Sequence, residues 1–165
     1  MTDHTALIRY GRITIMKATG YSTWNGSWKR GNGTISTQTK TMKDVPYTFS
    51  SRFEGAPGAS PEELLAAAHA GCFNQALANN FGMISFEAES ISTSVSIEFG
   101  DSVAGHPAIK SSHITVEANV PNISKEQFDY CVQQARNNCT ISRVLKCDIT
   151  SSATLRATAN AGAPV

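Results

Sequence analysis

The segment Ser60 to Gly82, SPEELLAAAHAGCFNQALANNFG, constrains this chain more than any other. Ser60 has the side chain of a helix N-cap, Pro61 suits the first helical position, and Glu63 stands where a capping box closes. With Gly82 as the stop, the spacing predicts one helix from Pro61 to about Phe81. Its centre, AAAHAGCF, is almost all small residues, which let another element, or a substrate, come close. Leu65, His69, Cys72 and Ala76 follow the spacing of a buried stripe.

Strand patterns surround this helix. From Tyr21 the run STWNGSWKRGNGTISTQTK is β-prone, with Asn25-Gly26 and Gly31-Asn32-Gly33 as turn signals. VPYTFSSRF reads as a further strand, Val45, Tyr47 and Phe49 alternating. After the helix, ESISTSVSIEF alternates Ile91, Thr93, Val95, Ile97 and Phe99, and IKSSHITVEANV alternates Ile114, Val116, Ala118 and Val120. Gly100, Gly105 and Pro107 mark the turn between them. NISKEQFDYCVQQARNN is a second helix, capped by Ser124 and Gln127, with Phe128, Cys131, Val132 and Ala135 facing inward. In VLKCDITSSATL, Leu145, Cys147 and Ile149 alternate into a last strand. The order β-rich, helix, β-β, helix, β defines an α+β chain. Its 165 residues suit a single core. Residues 1–17 read as an appended arm and residues 18–165 as one domain.

Composition excludes several classes. Fourteen basic and thirteen acidic residues leave a net charge of +1, so no electrostatic footprint calls for nucleic acid or a membrane surface. The apolar stretch from Leu64 to Phe73 is interrupted by His69 and is too short to span a bilayer. The N-terminus carries Asp3 and no uninterrupted apolar segment, unlike a signal peptide, and a cytoplasmic protein is expected.

In that reducing compartment the four cysteines, Cys72, Cys131, Cys139 and Cys147, are not a disulfide framework. They are core thiols, metal ligands or redox groups. A working cysteine reacts as thiolate and needs a positive neighbour. Cys131 lies at helix-core spacing and Cys147 on a strand face, so packing accounts for both. Cys72, among small residues, suits packing and chemistry equally. Cys139 follows Asn137-Asn138 at a helix end, where a thiol can be exposed or mobile. His69 and Cys72 at i, i+3 share a helix face and could chelate zinc, but no second close pair completes such a site; His69 is more ordinarily a hydrogen-bonded helix histidine. Glu62 and Glu63 suit a first turn whatever the function, and Arg52 alone could be a surface charge.

Three ordered motifs then resemble the OsmC/Ohr family, the osmotically inducible and organic hydroperoxide resistance proteins. RFEG followed by PEELLAAAHAGCF resembles its signature, CTISRVLKCDIT its second-cysteine segment, and the run from Trp24 to Ser36 the N-terminal hairpin of the OsmC branch. The likeness extends from about Ala18 to Leu155. It implies an OsmC-like fold: antiparallel sheets wrapped around two central helices, in an intertwined homodimer with two active sites at the subunit interface. It implies a thiol peroxidase without haem, flavin or metal. Cys72 would be the peroxidatic cysteine, Cys139 the resolving one, Arg52 the active-site arginine and Glu62 its carboxylate partner. The family suggests a dihydrolipoyl or other dithiol reductant. Thr140 departs from the proline usual after the second cysteine.

On this resemblance a guanidinium beside the sulfur favours thiolate where apolar surroundings would oppose it. Phe53, Phe73 and Phe81 are candidates for an apolar wall favouring alkyl hydroperoxides over hydrogen peroxide, with ordinary core packing as the plainer account of each. The rival reading is a redox sensor or ligand-binding protein of the same fold, without turnover.

Overall fold

Turn chemistry and close backbone approach shape the first sheet. The computed structural model describes residues 15–102 and 105–156. Most of the expected arm, residues 1–14, and the tail from residue 157 lie outside the described residues. The chain divides into two compact units, up to Gly58 and from Ala59 onward.

In the first unit β1 (Gly20–Asn25), β2 (Asn32–Thr37) and β3 (Val45–Thr48) form an antiparallel sheet in that order. Gly26, at φ +88°, makes the hairpin turn that Asn25-Gly26 predicts. Gly31-Asn32-Gly33 is not a second turn, because Asn32 and Gly33 open β2. A Cβ on Gly33 would stand 2.1 Å from the Thr23 carbonyl oxygen and 2.6 Å from the Tyr47 ring. That glycine serves close packing, not chain reversal.

The strand expected through Phe53 stops at Thr48. Thr48 and Ser51 form a capping box, each side chain bonded to the other's backbone N–H, and Phe49–Phe53 becomes a short helix, α1. Local capping outweighs the weak alternation of a three-residue pattern. Phe49 rests 4.9 Å from Phe53 and 5.0 Å from Trp28, centroid to centroid.

The second unit contains the long helix α2 (Pro61–Met83), then β4 (Ser90–Asp101), β5 (Pro107–Asn119), α3 (Lys125–Asn138), α4 (Thr140–Val144) and β6 (Asp148–Leu155). α2 passes through Gly82, and Ile84 is its C-cap. The expected Ser60/Glu63 box does not form; the Ser60 hydroxyl instead donates to Glu62 Oε2 at 2.9 Å. The box at Ser124 and Gln127 does form. β5 is the middle strand, antiparallel to β4 and parallel to β6, a departure from the all-antiparallel expectation. The reason is the connection: α3 and α4 carry the chain from one end of β5 back to the other, as a parallel crossover requires.

Both long helices pack on this sheet, α2 against β4 and α3 against β6, and against each other. The core joins Phe73, Leu77 and Phe81 of α2 to Phe128, Cys131, Val132 and Ala135 of α3 and to Ile114, Val116 and Ala118 of β5. Phe81 stacks on Phe128 at 6.1 Å. Phe73, Leu77 and Phe81 have no exposed surface, and each contributes about 1.5–3 kcal/mol by burial. No helix among the described residues is long and apolar enough to cross a membrane.

Candidate active site: a cysteine pair on a buried histidine–serine network

The buried stripe of α2 runs through Glu62, His69, Phe73, Leu77 and Phe81. It is rotated from the expected Leu65–His69–Cys72–Ala76 face, because the phenylalanines claim the core. Cys72 consequently lies on the flank of the stripe, half-buried. A fully packed sulfur would be inaccessible, and a fully exposed one would have no fixed neighbours.

Cys139 comes to this flank from α3. Its N–H donates to the Ala135 carbonyl, ending α3, while its sulfur accepts the Ser142 N–H at 3.4 Å and so caps α4. α4 was not foreseen, and it explains why Cys139 is buried at 3% exposure, not exposed or mobile as its position after two asparagines suggested. Thr140 holds the first helical position of α4, where proline also fits, so the departure from the usual residue suits the same backbone.

The two cysteines are neighbours: the Ile141 N–H of α4, two residues after Cys139, donates to Cys72 Sγ at 3.5 Å, and Cys72 is close enough to act on the Cys139 thiol. Burial pushes the Cys139 thiol up from its ordinary value; the Ser142 hydroxyl and N–H pull against that, and the neighbouring Cys72 adds to it. Cys147 instead sits half-buried in the bend before β6, short of the strand face expected for it.

Behind the sulfurs is a polar chain in an otherwise apolar layer. His69 has no exposed surface. Its Nδ1 lies 2.9 Å from Ser112 Oγ of β5 and its Nε2 lies 2.8 Å from Ser142 Oγ of α4. Ser142 Oγ in turn is 3.0 Å from Cys139 Sγ. Burial lowers the His69 pKa below 6.5, so the ring rests neutral. Both ring nitrogens are engaged by hydroxyls, so the lone pair a His69–Cys72 zinc chelate would need is already in a hydrogen bond. His69 is thus the hydrogen-bonded helix histidine anticipated from its type.

Glu62 is buried, at 8% exposure, and accepts the Ser60 hydroxyl. Arg52 belongs to the first unit, in the last turn of α1 and not in a loop. Its guanidinium lies 4.8 Å from the Phe53 ring centroid. Trp24, Trp28, Tyr47, Phe49, Arg52 and Phe53 line a cavity of about 480 Å³ within that unit. Phe73 and Phe81 are core residues with no surface to offer a ligand.

Sequence reasoning missed Ser112 and Ser142. Ser112 had a legible signal: it continues the inward series Ser112, Ile114, Val116, Ala118, where a hydroxyl requires a partner. Ser142 had none, because its role depends on an unforeseen helical turn.

The family model described as OsmC-like protein matches residues 53–153. Peroxiredoxin OsmC of Escherichia coli (strain K12) is 41% identical over 138 residues, covering 84% of this chain and 95% of that protein. The fold resembles that of the OsmC-like protein from Mycoplasma pneumoniae, with a TM-score of 0.66 at 14% identity over 86% of this chain and 99% of that one. It also resembles the organic hydroperoxide resistance protein OhrB of Bacillus subtilis, with a TM-score of 0.62 at 20% identity over 82% of this chain and 98% of that one. The fold is therefore α+β of the OsmC type, and the chain belongs to the OsmC-like family.

Proposed function

We propose that this protein is a cysteine-based peroxidase that reduces organic hydroperoxides, and more weakly hydrogen peroxide. The observation that carries the reading is the approach of Cys72 and Cys139 from two different helices, one sulfur half-buried and the other held in a polar network. Its membership beside a relative named peroxiredoxin OsmC supports the same chemistry.

In this reaction the Cys72 thiolate attacks one peroxide oxygen in line with the O–O bond. The bond breaks, the second oxygen departs as alkoxide and is protonated to the alcohol, and Cys72 becomes a sulfenic acid. On the family resemblance, Arg52 would stabilise the departing oxyanion and Glu62 would be its carboxylate partner. Cys139 then displaces hydroxide, which leaves as water, and a Cys72–Cys139 disulfide forms. A dithiol, such as a dihydrolipoyl group, reduces it and is itself oxidised to a disulfide.

Residues 18–165 act as one domain in a cytoplasmic homodimer whose active sites lie at the subunit interface. The aromatic cavity beside Arg52, with Phe53 on its wall, suits the hydrocarbon part of an alkyl hydroperoxide better than water or hydrogen peroxide.

Steady-state reduction of cumene hydroperoxide and hydrogen peroxide with dithiothreitol tests this. Multiple turnovers are expected, faster with the organic substrate, abolished in Cys72→Ser, sharply reduced in Arg52→Ala and nearly intact in Cys131→Ser. A single stoichiometric burst would favour a sensor without turnover. Equal losses in Cys72→Ser and Cys131→Ser would overturn the assignment.

A further inference from the structure

The peroxidase reading uses Cys72 and Cys139 but leaves unexplained why a histidine with no exposed surface is bonded through a serine to one of them. We propose that His69 is the proton acceptor for Cys139, acting through the Ser142 hydroxyl, and so sets the rate at which the disulfide closes. The inference rests on the peroxidase reading and adds a positioning residue to it.

The geometry specifies one continuous path from sulfur to ring. Cys139 Sγ, Ser142 Oγ and His69 Nε2 are linked by contacts of 3.0 and 2.8 Å. Nδ1–H donating to Ser112 Oγ, at 2.9 Å, leaves the Nε2 lone pair directed at Ser142. Ser142 then donates to Nε2 and accepts from the Cys139 S–H. After the proton has moved, both imidazolium N–H groups still have hydroxyl acceptors, so neither state strands a buried donor.

The path matters because burial opposes ionisation at both ends, holding His69 neutral and Cys139 a thiol. A free thiolate in this layer is costly. General-base transfer avoids it, because the proton leaves as the new S–S bond forms. Cys139 loses its proton to Ser142 while Ser142 passes its own to His69, and the Cys139 electron pair displaces hydroxide from the Cys72 sulfenic sulfur. The sulfenic sulfur is reduced and the thiol sulfur oxidised. Hydroxide leaves as water with one proton taken up at the half-buried Cys72 side, and His69 gives up the proton it received. The sum is sulfenic acid plus thiol going to disulfide plus water.

Mixing the full-length protein with one equivalent of cumene hydroperoxide, with dimedone or iodoacetamide quenches read by intact mass, separates sulfenic acid formation from disulfide closure. Ser142→Ala and His69→Gln are expected to form the sulfenic acid at close to the wild-type rate. They are expected to slow disulfide closure on the order of 100-fold. Ser142→Thr, which keeps a hydroxyl, restores it, and the double variant is no slower than either single one. His69→Gln keeps hydrogen-bonding capacity without basicity, so closure at the wild-type rate in that variant, or in Ser142→Ala, overturns the relay.

The same variants treated with diamide, where Cys139 attacks an adduct on Cys72 without any peroxide, make the two readings separable. Slow closure with diamide, in a protein whose wild type forms no sulfenic acid, would leave the relay standing and remove the peroxidase reading. Wild-type peroxide chemistry with unchanged closure in the variants would do the reverse.

Discussion

Cys131 and Cys139 stand at the middle and the end of α3, exposed by 1% and 3%. Burial pushes both thiols up. They differ in company. Cys131 belongs to the apolar cluster with Phe73, Leu77, Phe81 and Phe128, and desolvation alone accounts for its shift. Cys139 has left the regular helix, and the Ser142 N–H and hydroxyl both face its sulfur. Equal burial thus leaves one thiol among apolar side chains and the other facing hydrogen-bonding groups. Hydrogen-bonding partners, not depth, make the distinction.

The largest effect that would break this contrast is chemical. Peroxide-treated Cys139→Ser is expected to stop at the Cys72 sulfenic acid with no intramolecular disulfide, whereas Cys131→Ser closes it normally; non-reducing mass analysis distinguishes them. If both variants lost the disulfide, the two sulfurs would have to be regarded as equivalent.

Stability sharpens the contrast from the opposite side. A serine hydroxyl at Cys131 would stand in the apolar cluster of Phe73, Leu77, Phe81 and Phe128, and Cys131→Ser is expected to cost about 1–3 kcal/mol. At Cys139 the new hydroxyl inherits the Ser142 partners, so Cys139→Ser should cost less than about 1 kcal/mol. Urea denaturation reads both, and the reverse order would contradict the environments described.

The smallest effect concerns the histidine that sits behind only one of the two thiols. The folded-state pKa of His69 lies below its unfolded value of 6.5, so the unfolded chain binds the extra proton. Stability from this group is complete above that value and is lost as pH falls below it, at no more than about 1.4 kcal/mol per pH unit, the limit for one proton. His69→Gln should flatten the pH dependence of the urea midpoint between pH 7 and 5. An unchanged slope would show that His69 is not the group that titrates on unfolding.

Much of the second unit was legible because its patterns are long. β4, β5 and α3 repeat their inward residues often enough for burial of one face to dominate local preference, and Ser124 and Gln127 mark the start of α3. Short segments were not. α1 and α4 have five residues each, and neither offers a periodicity that can be separated from an extended run. Misreading them moved Phe49 and Arg52 onto a strand or loop and left Cys139 without its serine.

The sequence by itself determined the α+β class, the long small-residue helix with Cys72, the inward face of α3 and, through its motifs, the family. Those depend on repetition and on residue type at close spacing, which the chain carries locally. Tertiary structure alone decided that Cys72 lies beside the α4 turn that follows Cys139, that β6 runs parallel to β5, and that Ser112 and Ser142 enclose His69 from a strand and a helix distant in the chain. Each depends on which faces are buried against one another, because a hydroxyl or a thiol acquires its chemistry only from the groups that replace water around it.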